Sequence, residues 1–397
     1  MSWDYVTLDK LGSISRGKSK HRPRNDKTLF GGKYPFIQTA DVKAAGLYLT
    51  EYTETYNDKG LAQSKLWPAG TLCITIAANI ADTTILGIDA CFPDSVMGFI
   101  PFEGVSNVKY VKYAFDILQR DCKKISQGTA QDNLSWKKLS TIKFPAPDIE
   151  IQDKIVSILS VYDDLIENNK KQIKLLEEAA QRLYKEWFVD LRFPGHEDIA
   201  IVDGVPEGWT EDTIDSKIDL LSGYAFKSAE FNDEGTYKIV TIKNVKDGQF
   251  DGDNVSRMVD IPPKMPEHCK LSDGDILLSL TGNVGRVCIV HGDNYLLNQR
   301  VAKIKSDNPT YAYCLFRSKD MFDEMNNLAN GAAQQNLSPI RTGKIKVIFP
   351  TDKLIDTFEE IVSPMVEKIT MLNKTMLLLL QARDRLLPKL MSGEIEV

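Results

Sequence analysis

A glycine-rich stretch near the start of the chain has the spacing of a phosphate-binding loop. Residues 12–19, GSISRGKS, match the pattern G-x-x-x-x-G-K-[ST], in which backbone N–H groups and a lysine, here Lys18, hold nucleotide phosphates. That chemistry needs a strand before the loop and a helix after it, with the helix N-terminus facing the phosphates. Residues 20–27 have no apolar periodicity and include a proline, and residues 218–228 in the second half lack the pattern. We therefore favour a basic loop, with a P-loop NTPase that uses Lys18 as the alternative.

Basic residues are concentrated around this loop. Between Lys10 and Lys33 the chain has eight lysines and arginines and one acid, Asp26. Phosphate binding depends on such residues, and their local density matters more than the total charge of −6. The run is either a solvated loop or a phosphate-contacting surface. Its candidate DNA contacts are Lys18, Lys20, Arg22 and Arg24.

A segment rich in amides occurs twice, 203 residues apart. Residues 128–135 read GTAQDNLS and residues 331–338 read GAAQQNLS. Glutamine and asparagine can make paired hydrogen bonds to adenine, so the segment could contact DNA. The alternative is structural, with Ser135 and Ser338 as helix N-caps and the amides satisfying a turn. We favour the structural role, because a segment shared by both copies is a poor source of different specificities.

Other polar residues complete the candidate DNA-binding set. Some differ between the two halves, and others stand at matching positions, as Asn79 and Asn283 do. These further candidates are Gln38, Asn79, Gln131, Asn133, Lys227, Asn283, Arg286, Arg300, Gln334, Asn336 and Arg341.

The sequence contains no residue pattern that is typical of a catalytic site. It has no cofactor-binding glycine turn after a strand, no N/D-P-P-Y/F loop of amino methyltransferases, and no acid cluster with nuclease spacing. The six cysteines are scattered without a C-x-x-C pair, which argues against a zinc site and for reduced thiols in the cytoplasm. The start of the chain does not resemble a signal peptide, and no apolar stretch is long enough to cross a membrane. We expect a cytoplasmic chain with no catalytic residues, no metal and no cofactor of its own.

The two halves share an order of predicted elements. Short strands broken by turn residues precede a helix in each half. The predicted strands of the first half lie at 36–39, 71–76 and 97–100. In the second half, residues 237–241 and 273–278 repeat the patterns of 34–38 and 69–74. The predicted helices lie at 108–125 and 312–328.

A long helix with heptad spacing follows each half. Apolar residues in 151–187 and 354–390 recur at alternating intervals of three and four, which is typical of a coiled coil. A pseudo-twofold repeat would pair the two helices antiparallel; the alternative is that each packs on its own module as an ordinary amphipathic helix. Pro364 is expected to kink or interrupt the second helix. The predicted seam contains Ile155, Ile158, Tyr162, Leu165, Ile173, Leu176, Leu183, Phe358, Ile361, Ile369, Leu372, Met376, Leu379 and Leu386.

These patterns predict an α+β chain with a pseudo-twofold internal repeat. Two similar modules, each a mixed β-sheet with helices, are separated by a long antiparallel two-helix coiled coil. The predicted boundaries are 1–147 for the first module, 148–192 for the central helix, 193–350 for the second module with the linker 193–208 at its start, and 351–397 for the C-terminal helix.

Over its whole length the chain resembles the DNA specificity subunit of type I restriction–modification systems. The order module, helix, module, helix and the repeated Q-x-N-L-S segment are typical of that family, as is Gln152-x-x-Ile155 at the start of the first long helix. So are three further stretches: LYKEWFVD at 183–190, RFPG at 192–195 and LLPKLMSGEI at 386–395.

The resemblance implies a non-catalytic DNA reader. Each target recognition domain would bind one half of a split, asymmetric target, and the coiled coil would fix the gap between the halves. The implied partners are double-stranded DNA, two adenine methyltransferase subunits and restriction/translocase subunits. S-adenosylmethionine, ATP and Mg are expected only in those subunits. A pure protein-interaction scaffold without DNA contacts is the other alternative.

Overall fold

The computed structural model describes residues 3–76, 82–125, 139–253, 255–329 and 336–397. The chain forms two compact units, residues 1–167 with 378–397, and residues 168–377. Each unit contains one β-rich module and a part of each long helix. The four predicted domain boundaries remain predictions.

The strands of the two units are short. In the first unit they are β1 Tyr5–Thr7, β2 Gly12–Arg16, β3 Phe30–Phe36, β4 Tyr48–Leu49, β5 Glu54–Tyr56, β6 Leu66–Trp67, β7 Leu72–Thr75, β8 Thr83–Leu86, β9 Ala90–Cys91, β10 Val96–Pro101 and β11 Lys143–Pro145. In the second unit they are β12 Ile201–Val202, β13 Val205–Pro206, β14 Thr210–Thr213, β15 Ile218–Ser222, β16 Tyr237–Val240, β17 Val245–Lys246, β18 Gln249–Phe250, β19 Ser256–Met258, β20 Lys270–Leu271, β21 Ile276–Ser279, β22 Val287–Ile289, β23 Tyr295–Leu297, β24 Val301–Ser306 and β25 Lys346–Phe349.

Most helices are short, and two are long. They are α1 Leu8–Leu11, α2 Thr39–Ala44, α3 Asp58–Ala62, α4 Val108–Ile125, α5 Ile149–Tyr184, α6 Pro309–Arg317, α7 Lys319–Ala329, α8 Pro339–Gly343 and α9 Asp352–Met391. A π-helical turn, Lys185–Val189, continues α5.

The main sheets of the two units match except for β4, which has no counterpart and lies parallel to β8 at the edge of the first sheet. The first unit has the strand orders β2-β10-β7-β8-β4 and β5-β3-β9-β6, and the second has β15-β24-β21-β22 and β19-β16-β23-β20. The β1–β11 and β14–β25 pairs join the beginning and end of each module. Most neighbours are antiparallel, but β3–β9 and β16–β23 are parallel, so the sheets are mixed. The predicted α+β repeat is confirmed.

The repeat extends to individual backbone hydrogen bonds. Gly17 N donates to Val96 O (2.8 Å), as Gly223 N does to Val301 O (3.1 Å) in the second unit. A Cβ on Gly17 would lie 2.4 Å from the carbonyl oxygen of Phe92, and one on Gly223 would lie 2.3 Å from another backbone carbonyl. Both positions therefore require glycine, because the backbone that leaves β9 or β23 approaches closely there.

Both long helices contribute to the core of each unit. In the first unit, Ile155 and Leu159 of α5 are buried in one cluster with Leu387 and Leu390 of α9. Each such side chain contributes roughly 1.5–3 kcal/mol on burial. In the second unit, the other ends of the same helices meet, since Ala180 and Tyr184 of α5 share a core with Phe358 and Val362 of α9. The beginning of one helix thus packs with the end of the other, as the antiparallel prediction requires.

Two predicted seam residues are wrong. Leu165 is 45% exposed and Ile361 is 44% exposed, whereas the following residues, Ile166 and Val362, are 4% and 0% exposed. An α-helix has 3.6 residues per turn and drifts against a strict 3.5-residue repeat, so the inward position moves one residue along. The helix α9 also runs through Pro364 without the expected interruption. The other predicted seam residues are buried or half-buried.

Two predicted elements differ in their bounds. The strand expected at 36–39 is in fact β3, which ends at Phe36, and Thr39 already begins α2. The helix expected at 312–328 is two helices, because Ser318 is extended and its Oγ accepts a hydrogen bond from Met321 N (3.3 Å) as an N-cap of α7. In contrast, α4 has the predicted bounds, 108–125.

Candidate nucleic-acid interface

The glycine-rich stretch of the first unit leads into a loop rather than a helix. Residues 12–16 form β2, and the next regular element is a 3-10 turn at Lys27–Leu29. A phosphate-binding loop would place a helix N-terminus at Lys18. The structure therefore gives no support to the P-loop alternative. The sequence instead forms a loop at residues 18–27, here called the basic loop.

Neighbouring segments hold the basic loop in one conformation. The Ser64 hydroxyl donates to the carbonyl oxygen of Lys18 (2.7 Å), and His21 N donates to Gln63 Oε1 (3.0 Å). A guanidinium nitrogen of Arg22 donates to the carbonyl oxygen of Ser19 (2.7 Å). These bonds fix the backbone, so the charged side chains start from defined positions.

A second set of contacts closes the loop at its far end. The His21 imidazole lies 2.7 Å from the Asp26 carboxylate. The backbone N–H of Thr28 donates to Asp26 Oδ1 (2.9 Å), and this bond, with smaller contributions including His21, lowers the pKa of Asp26 to about 2. Asp26 thus acts as an ionised N-cap of the following turn.

The four predicted cations of the loop are not equally available. Arg24 forms an ion pair with Asp94 (2.6 Å). Lys18, Lys20 and Arg22 are exposed, and within the described ranges no carboxylate lies within salt-bridge distance of them. Lys18 and Lys20 are therefore the side chains best able to contact phosphates, because the Arg22 guanidinium is bonded to backbone carbonyls of the loop.

In the second unit, several predicted residues meet at the hairpin between β21 and β22. Leu280 N donates to the carbonyl oxygen of Arg300 (3.0 Å), and Leu337 N donates to the carbonyl oxygen of Leu280 (2.7 Å). Thr281 also forms a β-bridge with Asn336. The hairpin, the turn at 298–300 and the repeated segment therefore lie side by side. Asn283, Arg300 and Asn336, all predicted, are exposed on this surface.

Arg286 lies at the end of the same hairpin and is half-buried. Its guanidinium lies 4.8 Å from the ring centre of Phe322 and 3.9 Å from a carboxylate oxygen of Asp247. Stacking on an aromatic ring fixes the plane of a guanidinium. Arg286 is thus oriented before any ligand binds.

The first unit repeats part of this arrangement. Ile76 N donates to the carbonyl oxygen of Ser95 (3.0 Å), the counterpart of the Leu280–Arg300 bond. Four predicted contacts fall outside the described residues: Asn79, Gln131, Asn133 and Gln334.

The remaining predicted residues lie on other segments. The side-chain amide of Gln38 donates to Glu54 (2.6 Å), and its backbone N–H donates to Asp41 (2.7 Å). Gln38 therefore caps the N-terminus of α2. Lys227 is exposed with Glu230 at 3.9 Å. Arg341 is exposed in α8, whose N-cap is Ser338, since its Oγ accepts from Arg341 N (3.4 Å). The structural role predicted for Ser338 is confirmed; Ser135 lies outside the described residues.

The sequence did not reveal the buried polar triads that join each module to the long helices. In the first unit, Asp163 of α5 accepts from the Tyr113 hydroxyl (2.5 Å) and from the guanidinium of Arg383 in α9 (2.7 Å). In the second, Glu177 of α5 accepts from the Tyr313 hydroxyl (2.6 Å) and is bonded to Arg317. The sequence signal for the first triad was Arg383, a charged residue at an otherwise apolar position of the predicted helix seam.

The surroundings of the first triad shift the pKa values of two of its members. Burial raises the pKa of Tyr113, and the neighbouring Asp163 carboxylate raises it further, so this phenol remains a hydrogen-bond donor. Burial lowers the pKa of Arg383, but the neighbouring Asp163 and Asp384 carboxylates together outweigh that effect and the net shift is upward. Tyr113 and Arg383 therefore keep their protons, and with them their bonds to Asp163, across the ordinary pH range.

Two further observations concern the described residues alone. They contain no cluster of three or more His, Cys, Asp or Glu side chains placed to hold a metal ion. In the same residues, no helix has the length and apolarity that crossing a bilayer requires.

Comparison with known proteins accounts for both modules. Residues 2–178 and 206–371 each match the family model described as "Type I restriction modification DNA specificity domain". The chain is 26% identical over 415 residues to the type I restriction enzyme MjaIX specificity subunit of Methanocaldococcus jannaschii, covering 100% of this chain and 94% of that one. It is 27% identical over 301 residues to the MjaVIII specificity subunit of the same organism, covering 72% and 70% of the two chains.

A solved structure shows the same fold. The type I restriction–modification S subunit from M. genitalium superposes with a TM-score of 0.55 at 19% identity, covering 98% of this chain and 96% of that chain. Two matched domains account for most of the chain, and the chain belongs to the family of type I restriction–modification DNA specificity subunits.

Proposed function

We propose that this chain is the non-catalytic subunit that selects the DNA sequence for a type I restriction–modification complex. Each module reads one half of a split, asymmetric target, and the antiparallel helices fix the gap between the halves. One observation carries this proposal. The modules share backbone hydrogen bonds but present different side chains at equivalent positions, such as Lys18 and Tyr224, whose N–H groups bond to Phe92 O and Leu297 O. The same scaffold with different surface chemistry suits the reading of two different half-sites.

The partners in this proposal are duplex DNA, two adenine methyltransferase subunits, and restriction/translocase subunits. The duplicated joints between module and helix support two copies of one partner. Asn107 donates to Asp153 (2.8 Å) at the first joint, as Asn308 does to Asp356 (3.0 Å) at the second. S-adenosylmethionine, ATP and Mg would be bound by those subunits, and the complex would act in the cytoplasm.

A module exchange tests the proposal. Residues 1–147 are replaced by the first module of another family member, and methylated adenines in the host genome are mapped by sequencing. We expect one half of the methylated sequence to change while the other half and the gap stay the same. The reciprocal exchange of residues 193–350 is the matched control and should change the other half. Changes in both halves after a single exchange would contradict the proposal.

A second measurement separates DNA reading from a pure scaffold role. The reconstituted complex with methyltransferase subunits is titrated onto a duplex that carries the methylated sequence. DNA reading predicts a complex whose affinity falls steeply with salt, because counterions are released on binding. A complex that assembles but does not bind the duplex would favour the scaffold.

A further inference from the structure

The two modules carry opposite net charges although they share one fold. Residues 1–147 contain 19 lysines and arginines against 14 aspartates and glutamates, a net charge of +5. Residues 193–350 contain 17 against 23, a net charge of −6. A DNA duplex is uniformly negative along its length. The electrostatic attraction to its phosphates is therefore stronger for the first module than for the second.

The difference in charge is present in equivalent segments of the two modules and not only in the module totals. The segments after Gly17 and Gly223 begin at equivalent places, as their shared backbone bonds show. In the first module this segment is the basic loop. In the second module the equivalent segment starts with two aromatic residues that pack edge-to-face and continues into an acidic stretch; it contains Tyr224, Phe226, Lys227, Glu230, Asp233 and Glu234.

The exposed cations that lie away from carboxylates are grouped on one loop in the first module and separated in the second. Lys18 and Lys20 are exposed with no carboxylate within salt-bridge distance in the described part of the chain, on a backbone already fixed by Ser64 and Gln63. In the second module, Lys227 has Glu230 at 3.9 Å and Arg286 has Asp247 at 3.9 Å. Arg300 and Arg341 have no such carboxylate among the described residues, but they lie on separate segments. A nearby carboxylate offsets the attraction between a cation and a phosphate.

We propose that the first module is the electrostatic anchor of this chain on duplex DNA. Lys18 and Lys20 of the basic loop supply much of the salt-dependent part of binding. The second module, through the amide side chains of Asn283 and Asn336, contributes contacts that depend little on salt. This inference rests on the proposed DNA-reading function and adds an unequal division of labour between the halves.

The test compares matched pairs of charge removals in the full chain assembled with its methyltransferase subunits. One variant carries Lys18→Gln and Lys20→Gln, and the other carries Lys227→Gln and Arg300→Gln. Binding to the target duplex is measured by fluorescence anisotropy between 50 and 200 mM KCl. The slope of log K against log [salt] changes by about 0.9 for each phosphate that the protein no longer neutralises.

We expect the first pair to reduce the magnitude of the slope by up to about 1.8, which corresponds to a ~12-fold smaller loss of affinity over this salt range. The second pair should change the slope by less than half as much. Lys319→Gln, an exposed cation on α7 (85% exposed side chain), serves as the control and should leave the slope unchanged. Thermal unfolding of each variant checks that the fold is retained.

Equal slope changes from the two pairs, or a larger change from the second pair, would overturn the inference while leaving the DNA-reading function intact. If the unmodified complex showed no salt-dependent binding to the duplex, the proposed function itself would fail. The two failures are thus distinguishable.

Discussion

Replacing Arg383 by methionine should destabilise the first unit by about 3 kcal/mol, because it leaves a buried carboxylate without its charged partner. Asp163 is 3% exposed and accepts hydrogen bonds from Tyr113 and Arg383. Methionine keeps the length and apolar volume of the arginine stem, so the change chiefly removes the charge.

The magnitude follows from the environment of the pair. Breaking a buried ion pair by removing one partner costs roughly 3–5 kcal/mol. The lower end applies here, since Tyr113 still donates to Asp163 in the variant and the Arg383 side chain is 21% exposed. For a unit of this size, each kcal/mol lowers the melting temperature by about 2–4 °C, so we expect a decrease of about 6–12 °C.

The assay is thermal unfolding by calorimetry, with hydrogen exchange of peptides from α4 and from residues 149–167 of α5 to assign the transition to the first unit. Arg385→Met, an exposed arginine on the same helix, is the matched control and should change stability by less than about 0.5 kcal/mol. The double variant Asp163→Asn with Arg383→Met should recover most of the loss, because no unpaired charge remains and the asparagine oxygen can still accept from the Tyr113 hydroxyl. If the double variant melted as low as the single one, poorer packing rather than the stranded carboxylate would be the cause, and the reasoning would be refuted.

Three other predictions concern separate features. Gly223→Ala should destabilise the second unit by roughly 1–3 kcal/mol, measured by urea unfolding, because its Cβ would lie 2.3 Å from the backbone carbonyl oxygen of Asn298; a neutral effect would show that the turn at Asn298 can move away from Gly223. The pKa of Asp26 falls from 3.8 to about 2 on folding, so its contribution to stability is fully present above pH 3.8 and is lost as the pH falls toward 2. Asp26→Asn should therefore be less stable than the native chain at pH 6 but equal to it near pH 2; a difference that persists at pH 2 would exclude this titration as the cause. Inserting seven residues, or two turns, into both α5 and α9 should widen the gap in the methylated sequence by about 10 Å, roughly three base pairs, without changing the bases read; an unchanged gap would contradict the spacing role of the helices.

The sequence predicted the repeated architecture well because the repeat leaves periodic signals. The helix at 108–125 has an apolar face that needs no tertiary information, and its bounds were correct. The break at Ser318 was missed because a serine inside an apolar pattern does not reveal whether its side chain caps a new helix. The seam was misplaced at Leu165 and Ile361, where the drift of a real helix against the heptad depends on what packs beside it.

The candidate site was only partly predictable, because availability depends on contacts between distant residues. Arg24 and Lys20 look alike in the sequence, yet only the former meets Asp94, 70 positions away from it. Similarly, Gln38 is a reasonable base contact by residue type, but in the structure its amide is bonded to Glu54. The meeting of Asn283, Arg300 and Asn336 required the pairing of segments that the sequence alone does not bring together.

The main-chain hydrogen bonds shared by both modules have a consequence for how such chains diversify. Peptide groups, rather than the side chains on the exposed hairpins and loops, hold the positions of Gly17 and Gly223 against their neighbouring strands. Substitutions at the outer surface can therefore accumulate without loosening the architecture beneath them. A lineage with this construction can acquire a new preference in one half while the other is inherited unchanged.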